Sequence, residues 1–231
     1  MRLTTLGHLE LHDGDVPYLA RRRKELVLLA VLSRHAPLAV GRERLVELLW
    51  EGRDPARARH SLRQALTDLR RVLGKALVVT AEEVALAPGA VELDAGAFVT
   101  ACVRHDWDTA VSLWRGTFLD GAEDVGGAAL AEWLGTARSE LESLFFDACE
   151  RRCRKAEGEG RWTDALSNAE LWLRHAPESG PARARLTTVL RSLGRRAEAD
   201  RLNGIERDVT TSLREPDFAG RTEAFDLLAR A

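Results

Sequence analysis

The stretch PARARHSLRQALTDLRRVL, residues 55–73, contains the pattern that decides the fold of the chain. Its apolar residues recur at helical spacing and predict one buried stripe, formed by Ala58, Leu62, Ala65, Leu66, Leu69, Val72 and Leu73. Asp54 is a suitable N-cap, Pro55 stands at the first helical position and Gly74 follows the last one. The stretch is therefore predicted to form one amphipathic helix, the third helix of the chain.

The segments on either side of this helix complete a recognisable order. Residues 1–13 alternate between apolar and polar side chains and predict short antiparallel strands. Two helices are predicted next, over residues 21–34 and 41–50. After the third helix, residues 77–80 and 84–86 predict a hairpin whose turn contains Glu82 and Glu83. Strands, three helices and a hairpin are the order of a winged helix-turn-helix.

From Asp94 onward the sequence predicts almost only helices, over residues 95–104, 106–115, 128–158, 161–176, 179–193, 195–213 and 217–230. Gly160-Arg161 and Gly194-Arg195 are separated by the period of a tetratricopeptide repeat, and so are Ala165 and Ala199. RHDWDTAV, residues 104–111, is similar to residues 159–166 and predicts an earlier, diverged copy. The expected fold class is mainly α, with an α+β winged helix-turn-helix over residues 1–93 and an all-α, tetratricopeptide-like domain over residues 94–231.

The basic residues are concentrated in one part of the chain. The 231 residues have a formal net charge of −2, which is unusual for a protein that binds nucleic acid. Residues 21–75, however, contain 14 Lys or Arg and only 6 Asp or Glu. Phosphate binding depends on the local potential, so a basic patch of this kind is compatible with DNA binding by a weakly acidic protein.

The third helix is the strongest candidate for a DNA-reading element, because a helix fits the major groove, where Arg reads guanine and Gln reads adenine. The base-reading candidates, in the N-terminal half of the helix, are Arg57, Arg59, His60, Arg63 and Gln64. The phosphate-binding candidates are Arg21, Arg22, Arg23, Lys24, Thr67, Arg70, Arg71 and Lys75. The first four of these begin the first helix, where cations oppose the helix dipole and an external anion would relieve them. The acidic tip of the hairpin, Glu82-Glu83, is not expected to enter a minor groove.

Other function classes find little support in the sequence. Phosphate-loop, nucleophile-elbow and HExxH motifs are missing, and the histidines are scattered, so neither an enzyme nor a bound cofactor or metal is expected. Cys102, Cys149 and Cys153 have no CxxC spacing and are expected in the core. The longest apolar run, Leu26 to Leu32, is too short for a membrane span, and the first residues do not resemble a signal peptide, so a cytoplasmic location is expected.

Several stretches together resemble the Streptomyces antibiotic regulatory proteins. Residues 20–50, residues 56–74 and VALAPGAVELDAGAF, residues 84–98, are similar to the DNA-binding half of that family. WRGTFLDG, residues 114–121, and residues 131–152 are similar to its bacterial transcriptional activation domain. The resemblance implies an OmpR-type winged helix that binds direct repeats in double-stranded DNA near promoters, with residues 55–73 as recognition helix. It also implies that the protein assists RNA polymerase holoenzyme.

Alternatives remain at this point. Tetratricopeptide-like repeats are typical of protein contact, here with the transcription machinery or with another copy, so a homodimer on DNA is one expectation. The same repeats would suit a scaffold or sensor whose winged helix binds protein instead of DNA. A neutral recognition face would favour that alternative, and the basic patch argues against it. A repressor would show the same residues as an activator.

Overall fold

The structure, a computed structural model, describes residues 1–13, 16–18, 23–202 and 204 and divides into two compact units, Met1–Arg152 and a second that begins at Cys153. The first unit starts with β1 (Arg2–Thr4), β2 (Glu10–Asp13), β3 (Val16–Tyr18), α1 (Arg23–His35), β4 (Val40–Gly41), α2 (Arg42–Trp50) and α3 (Pro55–Leu73). It continues with β5 (Leu77–Val79), β6 (Glu83–Leu86), β7 (Glu92–Leu93), α4 (Asp94–Val103), α5 (Trp107–Leu113) and most of α6 (Ala128–Gly158). The second unit contains α7 (Trp162–His175), α8 (Gly180–Ser192) and helical residues 196–202. The predicted fold class is confirmed.

Two small sheets frame the first three helices. The N-terminal sheet has the order β3-β2-β1-β7, in which β1 pairs antiparallel with β2 and parallel with β7. The second sheet has the order β4-β6-β5 and is antiparallel throughout, with Leu77 opposite Leu86. The β5–β6 hairpin is the predicted wing. The two-residue strands β4 and β7 carry no periodic signal in the sequence and become strands only through these partners.

Helix α1 is the centre of this part of the molecule. Seven consecutive residues, Leu26 to Leu32, are buried. A helix with a single buried stripe would bury only every third or fourth of them, but α1 packs against α2, α3, β6 and β7, which cover its other faces as well. The predicted apolar block is confirmed as a buried helix, and α2 and α3 are held in place by packing on it.

Some predicted boundaries shift, each for a visible reason. Helix α5 ends at Leu113 because Trp114 is extended and packs its ring against Phe98 and Phe145, at centroid distances of 5.3 and 4.5 Å. Glu83 belongs to a strand and not to the turn, because β6 pairs with β4 as well as with β5. Arg21, Arg22 and the helix predicted over residues 217–230 lie outside the described residues.

The predicted repeat is confirmed by identical helix-to-helix turns. Gly160 and Gly194 have φ angles of 71° and 76°, a left-handed conformation that glycine adopts without strain. After each glycine, the next amide reaches back to the helix just ended, from Arg161 to the carbonyl of Ala156 and from Arg195 to that of Leu190, at 2.8 and 2.9 Å. Ala165 and Ala199, in the helices that follow, are fully buried.

The diverged copy predicted over residues 104–111 has the same turn. His105 replaces the glycine and takes a φ of 58°, and the amide of Asp106 donates to the carbonyl of Ala101 at 2.9 Å. Ala110 is fully buried, as are its counterparts in the other copies. The three cysteines are buried as predicted, and burial raises the pKa of Cys102 to about 11, with Asp147 adding to the shift.

Asp94 joins the winged helix to the helical segment that follows it. Its carboxylate accepts hydrogen bonds from the amide and hydroxyl of Thr5, at 2.8 and 2.6 Å, and from the amide of Leu6 at 3.0 Å. The amide of Leu119 donates to the carbonyl of Thr5 at 2.7 Å. The domain boundary predicted after residue 93 therefore falls inside the first packed unit. The division into a DNA-binding segment, residues 1–93, and a helical segment, residues 94–231, remains a prediction.

We expect Asp94→Ala to lower the free energy of unfolding by about 2–3 kcal/mol, because the amides of Thr5 and Leu6 would lose a charged acceptor in a partly buried site. Urea denaturation followed by circular dichroism measures the change. Asp108→Ala is the matched control, since Asp108 is exposed and its side chain forms a surface ion pair with Arg152 at 2.9 Å. Equal losses for the two variants would contradict the proposed joint.

Candidate nucleic-acid interface

Helix α3 has the two faces that its sequence predicts. The Asp54 carboxylate accepts a hydrogen bond from the amide of Arg57 at 3.0 Å, and Pro55 fills the first turn, so the helix starts where predicted. The buried face consists of Ala58, Leu62, Ala65, Leu66, Leu69 and Leu73. Val72, predicted in the same stripe, is half-buried. The exposed face presents Arg57, Arg59, His60, Arg63, Gln64, Thr67, Arg70 and Arg71.

Four arginines from two helices line one groove, which we call the arginine groove. Its volume is about 470 Å³, and its lining consists of Arg42, Arg63, Leu66, Thr67, Arg70, Arg71 and Val79. Helix α3 supplies most of these residues, while Arg42 comes from the start of α2 and Val79 from the wing strand β5. The structure therefore brings Arg63, predicted to read bases, next to Thr67, Arg70 and Arg71, predicted to bind phosphate.

Arg42 is a site residue that the sequence analysis missed. It is the first residue of α2, directly after Gly41, and its side-chain Nη1 donates to the carbonyl of Thr80 at 3.1 Å. The only signal in the sequence is an arginine at the start of the second helix of a helix-turn-helix. That signal is weak, since Arg42 and Arg63 are far apart in the chain and only the packing of α2 on α3 brings them together.

The arginine groove keeps a net positive charge. Arg42 and Arg70 donate to the neutral carbonyls of Thr80 and Leu77, at 3.1 and 3.5 Å. Carbonyl acceptors orient a guanidinium without cancelling its charge. Arg71 forms an ion pair with Asp68, at 2.9 Å. A concave surface lined, among the described residues, by four guanidinium groups and no carboxylate attracts anions, and guanidinium matches the geometry of phosphate oxygens.

The base-reading candidates differ in how much freedom they have. Within the described part of the chain, the side chains of Arg57, His60 and Arg63 have no hydrogen bond or ion pair. The amide of Gln64 is 3.4 Å from the carboxylate of Asp68, one turn further along α3. Arg59 is held across the helices by Glu43 of α2, at 2.9 Å from Nε to Oε1. Three candidates are therefore available to a ligand, and two already have protein partners.

The cations at the start of α1 contact the protein itself. The Lys24 ammonium donates to the carbonyl of Leu49 at 2.6 Å and lies 5.4 Å from the centre of the Trp50 ring. Burial lowers the pKa of Lys24, and the nearby charge of Arg53 lowers it further. Arg23 donates to the carbonyl of Asp120 at 3.3 Å. Lys24 thus stabilises the end of α2, a role that its sequence context did not indicate.

The remaining phosphate candidate and the wing tip are both exposed. Lys75 lies in the short turn that follows α3, and Glu82 and Glu83 form the end of the wing. The amide of Arg42 donates to the carbonyl of Glu82 at 2.8 Å, so the acidic tip begins beside the arginine groove. Because carboxylates repel phosphate, a DNA backbone held in the arginine groove would stay clear of the tip itself. The prediction that the wing tip does not insert is compatible with this geometry.

A metal site and a membrane-spanning helix are both missing from the part of the chain that the structure describes. Among these residues, no three or more His, Cys, Asp or Glu side chains converge as a metal site requires. Within the same ranges, no helix has the length and apolar character needed to cross a bilayer. The arginine groove and the exposed face of α3 together form the candidate site.

A winged helix with a basic third helix, followed by tetratricopeptide-like helices, defines a class of transcription regulator. Two family models match the chain: "Transcriptional regulatory protein, C terminal" over residues 18–84, and "Bacterial transcriptional activator domain" over residues 79–202. The chain belongs to the bacterial transcriptional activator domain family, in the two-domain arrangement of the Streptomyces antibiotic regulatory proteins. The resemblance found in the sequence is confirmed.

Known relatives match most of the length of this chain. The transcriptional regulatory protein EmbR of Mycobacterium tuberculosis and that of Mycobacterium bovis are each 27% identical to the chain over 228 residues. The match covers 90% of this chain and 57% of each relative, so the chain spans little more than half their length. The solved structure of Mycobacterium tuberculosis EmbR in complex with a low-affinity phosphopeptide shares the fold, with a TM-score of 0.70, 22% identity and coverage of 94% of this chain and 60% of that one.

We expect Asp54→Ala to lower the free energy of unfolding by about 1 kcal/mol, because the amide of Arg57 loses its capping acceptor at the start of α3. Thermal denaturation measures the loss. Asp54→Asn serves as the control, since asparagine caps a helix about as well as aspartate and should retain most of the stability. An asparagine variant as unstable as the alanine variant would contradict capping as the cause.

Proposed function

We propose that the protein is a sequence-specific DNA-binding transcription regulator that binds double-stranded DNA through α3 and acts as an activator at promoters. The observation that supports this most strongly is the arginine groove beside the exposed face of α3. A protein-binding winged helix has no need for four arginines around one concave surface, whereas a phosphate backbone supplies the anions that such a surface favours.

The two parts of the site suit two tasks. The exposed side chains of Arg57, His60 and Arg63 lie in the N-terminal half of α3, the part that meets base edges when a recognition helix enters the major groove. Arg42, Arg70 and Arg71 lie around the groove, where their guanidinium groups would hold the backbone beside that helix. Arg63 lines the groove as well, so it stands at the border between base reading and backbone binding.

We propose a division of labour along the chain. Residues 1–93 would supply DNA binding, and residues 94–231 would contact RNA polymerase holoenzyme or a second copy on an adjacent direct repeat. The tetratricopeptide-like turns at Gly160 and Gly194 support the second role, because helix hairpins of this type present extended surfaces for protein contact. The family name supports activation, which the site geometry alone does not distinguish from repression.

The alternative is a scaffold or sensor whose winged helix binds protein. That reading predicts an uncharged recognition face, and the exposed face of α3 carries five arginines, a histidine and no exposed acid. Retention of the full chain on heparin and on non-specific duplex DNA across a salt gradient separates the two readings. A DNA binder should be retained on both matrices at low salt. Its affinity should then fall steeply as the salt concentration rises.

We expect Gln64→Ala and Arg63→Ala in the full chain to lower affinity for the preferred site by roughly 1–3 kcal/mol and to relax base preference at particular positions. Arg42→Ala and Arg70→Ala should weaken binding to all duplexes about equally and reduce the salt slope by about one unit each. Fluorescence anisotropy with preferred and scrambled duplexes at several salt concentrations measures both effects.

Arg104→Ala is the matched control for loss of one positive charge, because Arg104 is exposed at the end of α4 and lies outside the proposed interface. It should bind both duplexes as the unmodified chain does. Proportional losses on preferred and scrambled duplexes for both Arg63→Ala and Gln64→Ala would show that neither residue reads bases, and the assignment of α3 as sequence reader would fail.

Activation is tested by transcription in vitro from a promoter that carries the selected site, with bacterial RNA polymerase holoenzyme. The full chain should increase transcript yield, and Arg63→Ala should lose most of the increase because it occupies the site less. A decrease in transcript by the unmodified chain would replace the activator assignment with a repressor. An unchanged yield with a fully occupied site would contradict any regulatory role at that promoter.

A further inference from the structure

The ion pair between Glu43 and Arg59 connects the two helices of the helix-turn-helix on their exposed side. Glu43 is the second residue of α2, and Arg59 belongs to the first half of α3. Arg59 donates from Nε to Oε1 at 2.9 Å and from Nη2 to Oε2 at 3.4 Å, so one edge of its guanidinium faces the carboxylate. The side chains are 55% and 73% exposed, which means that the pair lies where a bound ligand could reach it.

We propose that Glu43 is a positioning residue for DNA recognition, which holds the Arg59 guanidinium in the orientation in which Arg59 reads a base pair. The inference rests on the proposed binding of DNA by α3. It adds a residue that does not itself bind DNA and whose charge alone would oppose binding.

The donor pattern of arginine makes this arrangement productive. A guanidinium has five N–H groups, and Glu43 accepts one from Nε and one from Nη2. The second hydrogen of Nη2 and both hydrogens of Nη1 remain. Of these, the Nη2 hydrogen and one Nη1 hydrogen form the end-on edge of the group. That edge is a fork of the kind that donates to O6 and N7 of guanine in the major groove. Glu43 therefore uses the side of Arg59 that base reading does not need.

Positioning matters because an exposed arginine is otherwise free to sample many rotamers. A side chain that is already ordered loses less conformational freedom when DNA binds, and it presents its donors in one direction. Arg57 and Arg63, on the same face, have no comparable partner among the described residues. Among the three arginines predicted to read bases, Arg59 is thus the one that the structure orients in advance, and its base preference should be the sharpest.

The charge state supports a persistent pair. The hydrogen bond from Arg59 holds the pKa of the Glu43 carboxyl below its usual range, and the positive charges of Arg59 and Arg42 add to the effect. Glu43 therefore stays ionised throughout the neutral range in which DNA binding is measured. The competing interpretation is that Glu43 masks Arg59 from phosphate, and it makes the opposite prediction for removal of the carboxylate.

The experiment compares Glu43→Gln with Glu47→Gln in the full chain. Glu47 lies on the same helix and is exposed, but it pairs with Arg44 of α2 at 2.7 Å and has no partner in α3 in the structure. Both substitutions remove one negative charge, so both should strengthen non-specific binding slightly. Only Glu43→Gln should reduce preference at the base pair read by Arg59, on the order of 3- to 10-fold. Selection of bound sites from random duplexes, followed by affinities for single base-pair variants, measures the preference.

A second measurement follows Arg59 without DNA. The Nε–Hε order parameter of Arg59 from nuclear magnetic resonance should be higher in the unmodified chain and in Glu47→Gln than in Glu43→Gln. Arg59→Ala should remove the same base preference, and the double variant Glu43→Gln/Arg59→Ala should be no worse than Arg59→Ala alone. Non-additivity of this kind assigns the effect of Glu43 to Arg59.

Equal base preferences for Glu43→Gln and Glu47→Gln, or a sharper preference in Glu43→Gln, would overturn the positioning role. Unchanged specificity in Arg59→Ala would overturn it as well, because Arg59 would then read nothing. Failure of the unmodified chain to bind any duplex would instead contradict the proposed function, and the order parameters would still report whether Glu43 orders Arg59.

Discussion

The first unit depends on one constraint: consecutive residues of α1, on all faces of the helix, are buried. Leu26 to Leu32 have apolar neighbours on every side because α2, α3 and strands of both sheets pack around them. Burial of a leucine side chain contributes about 1.5–3 kcal/mol, so this one segment supplies a large share of the free energy that orders the helix-turn-helix. The buried face of α3 contributes to the same core. The opposite face therefore points outward with its arginines.

The N-terminal sheet extends this core into the helical segment that follows. β1 pairs with β7 in parallel, and the chain passes from β7 directly into α4, whose first residue is Asp94. That carboxylate binds backbone amides at the end of β1, so the first strand and the fourth helix hold each other. The Arg34 side chain, at the end of α1, forms an ion pair with Glu140 of α6 at 2.6 Å. Within the first unit, a contact made by the helical segment would thus act on the same core that supports α3.

The local arrangement of charged side chains is more informative about this protein than its net charge. The chain has a net charge of −2, and yet four arginines meet in one groove. The carboxylates near the site have specific partners: Asp68 pairs with Arg71, and Glu43 pairs with Arg59. Exposed ion pairs of this kind contribute little to stability, typically below 1 kcal/mol. Their effect is on where individual guanidinium groups point, and the proposed reading of base edges by α3 would depend on that direction.

Local patterns in the sequence determined the helices, strands and repeat turns of this protein. Tertiary packing decided which side chains meet in the candidate site. The period of apolar residues in 55–73, the cap at Asp54 and the repeated glycines at 160 and 194 each act within a few residues, so α3 and the repeat turns could be predicted closely. The joint at Asp94 connects residues 89 positions apart, and the arginine groove adds Arg42 from a different helix. Lys24 is predicted from its sequence context to bind phosphate, and the contacts that the fold gives it are with Leu49 and Trp50 at the end of α2. Periodicity reports which face of a helix is buried, whereas the partner of an individual charged side chain depends on which elements pack together, and only the folded chain defines that.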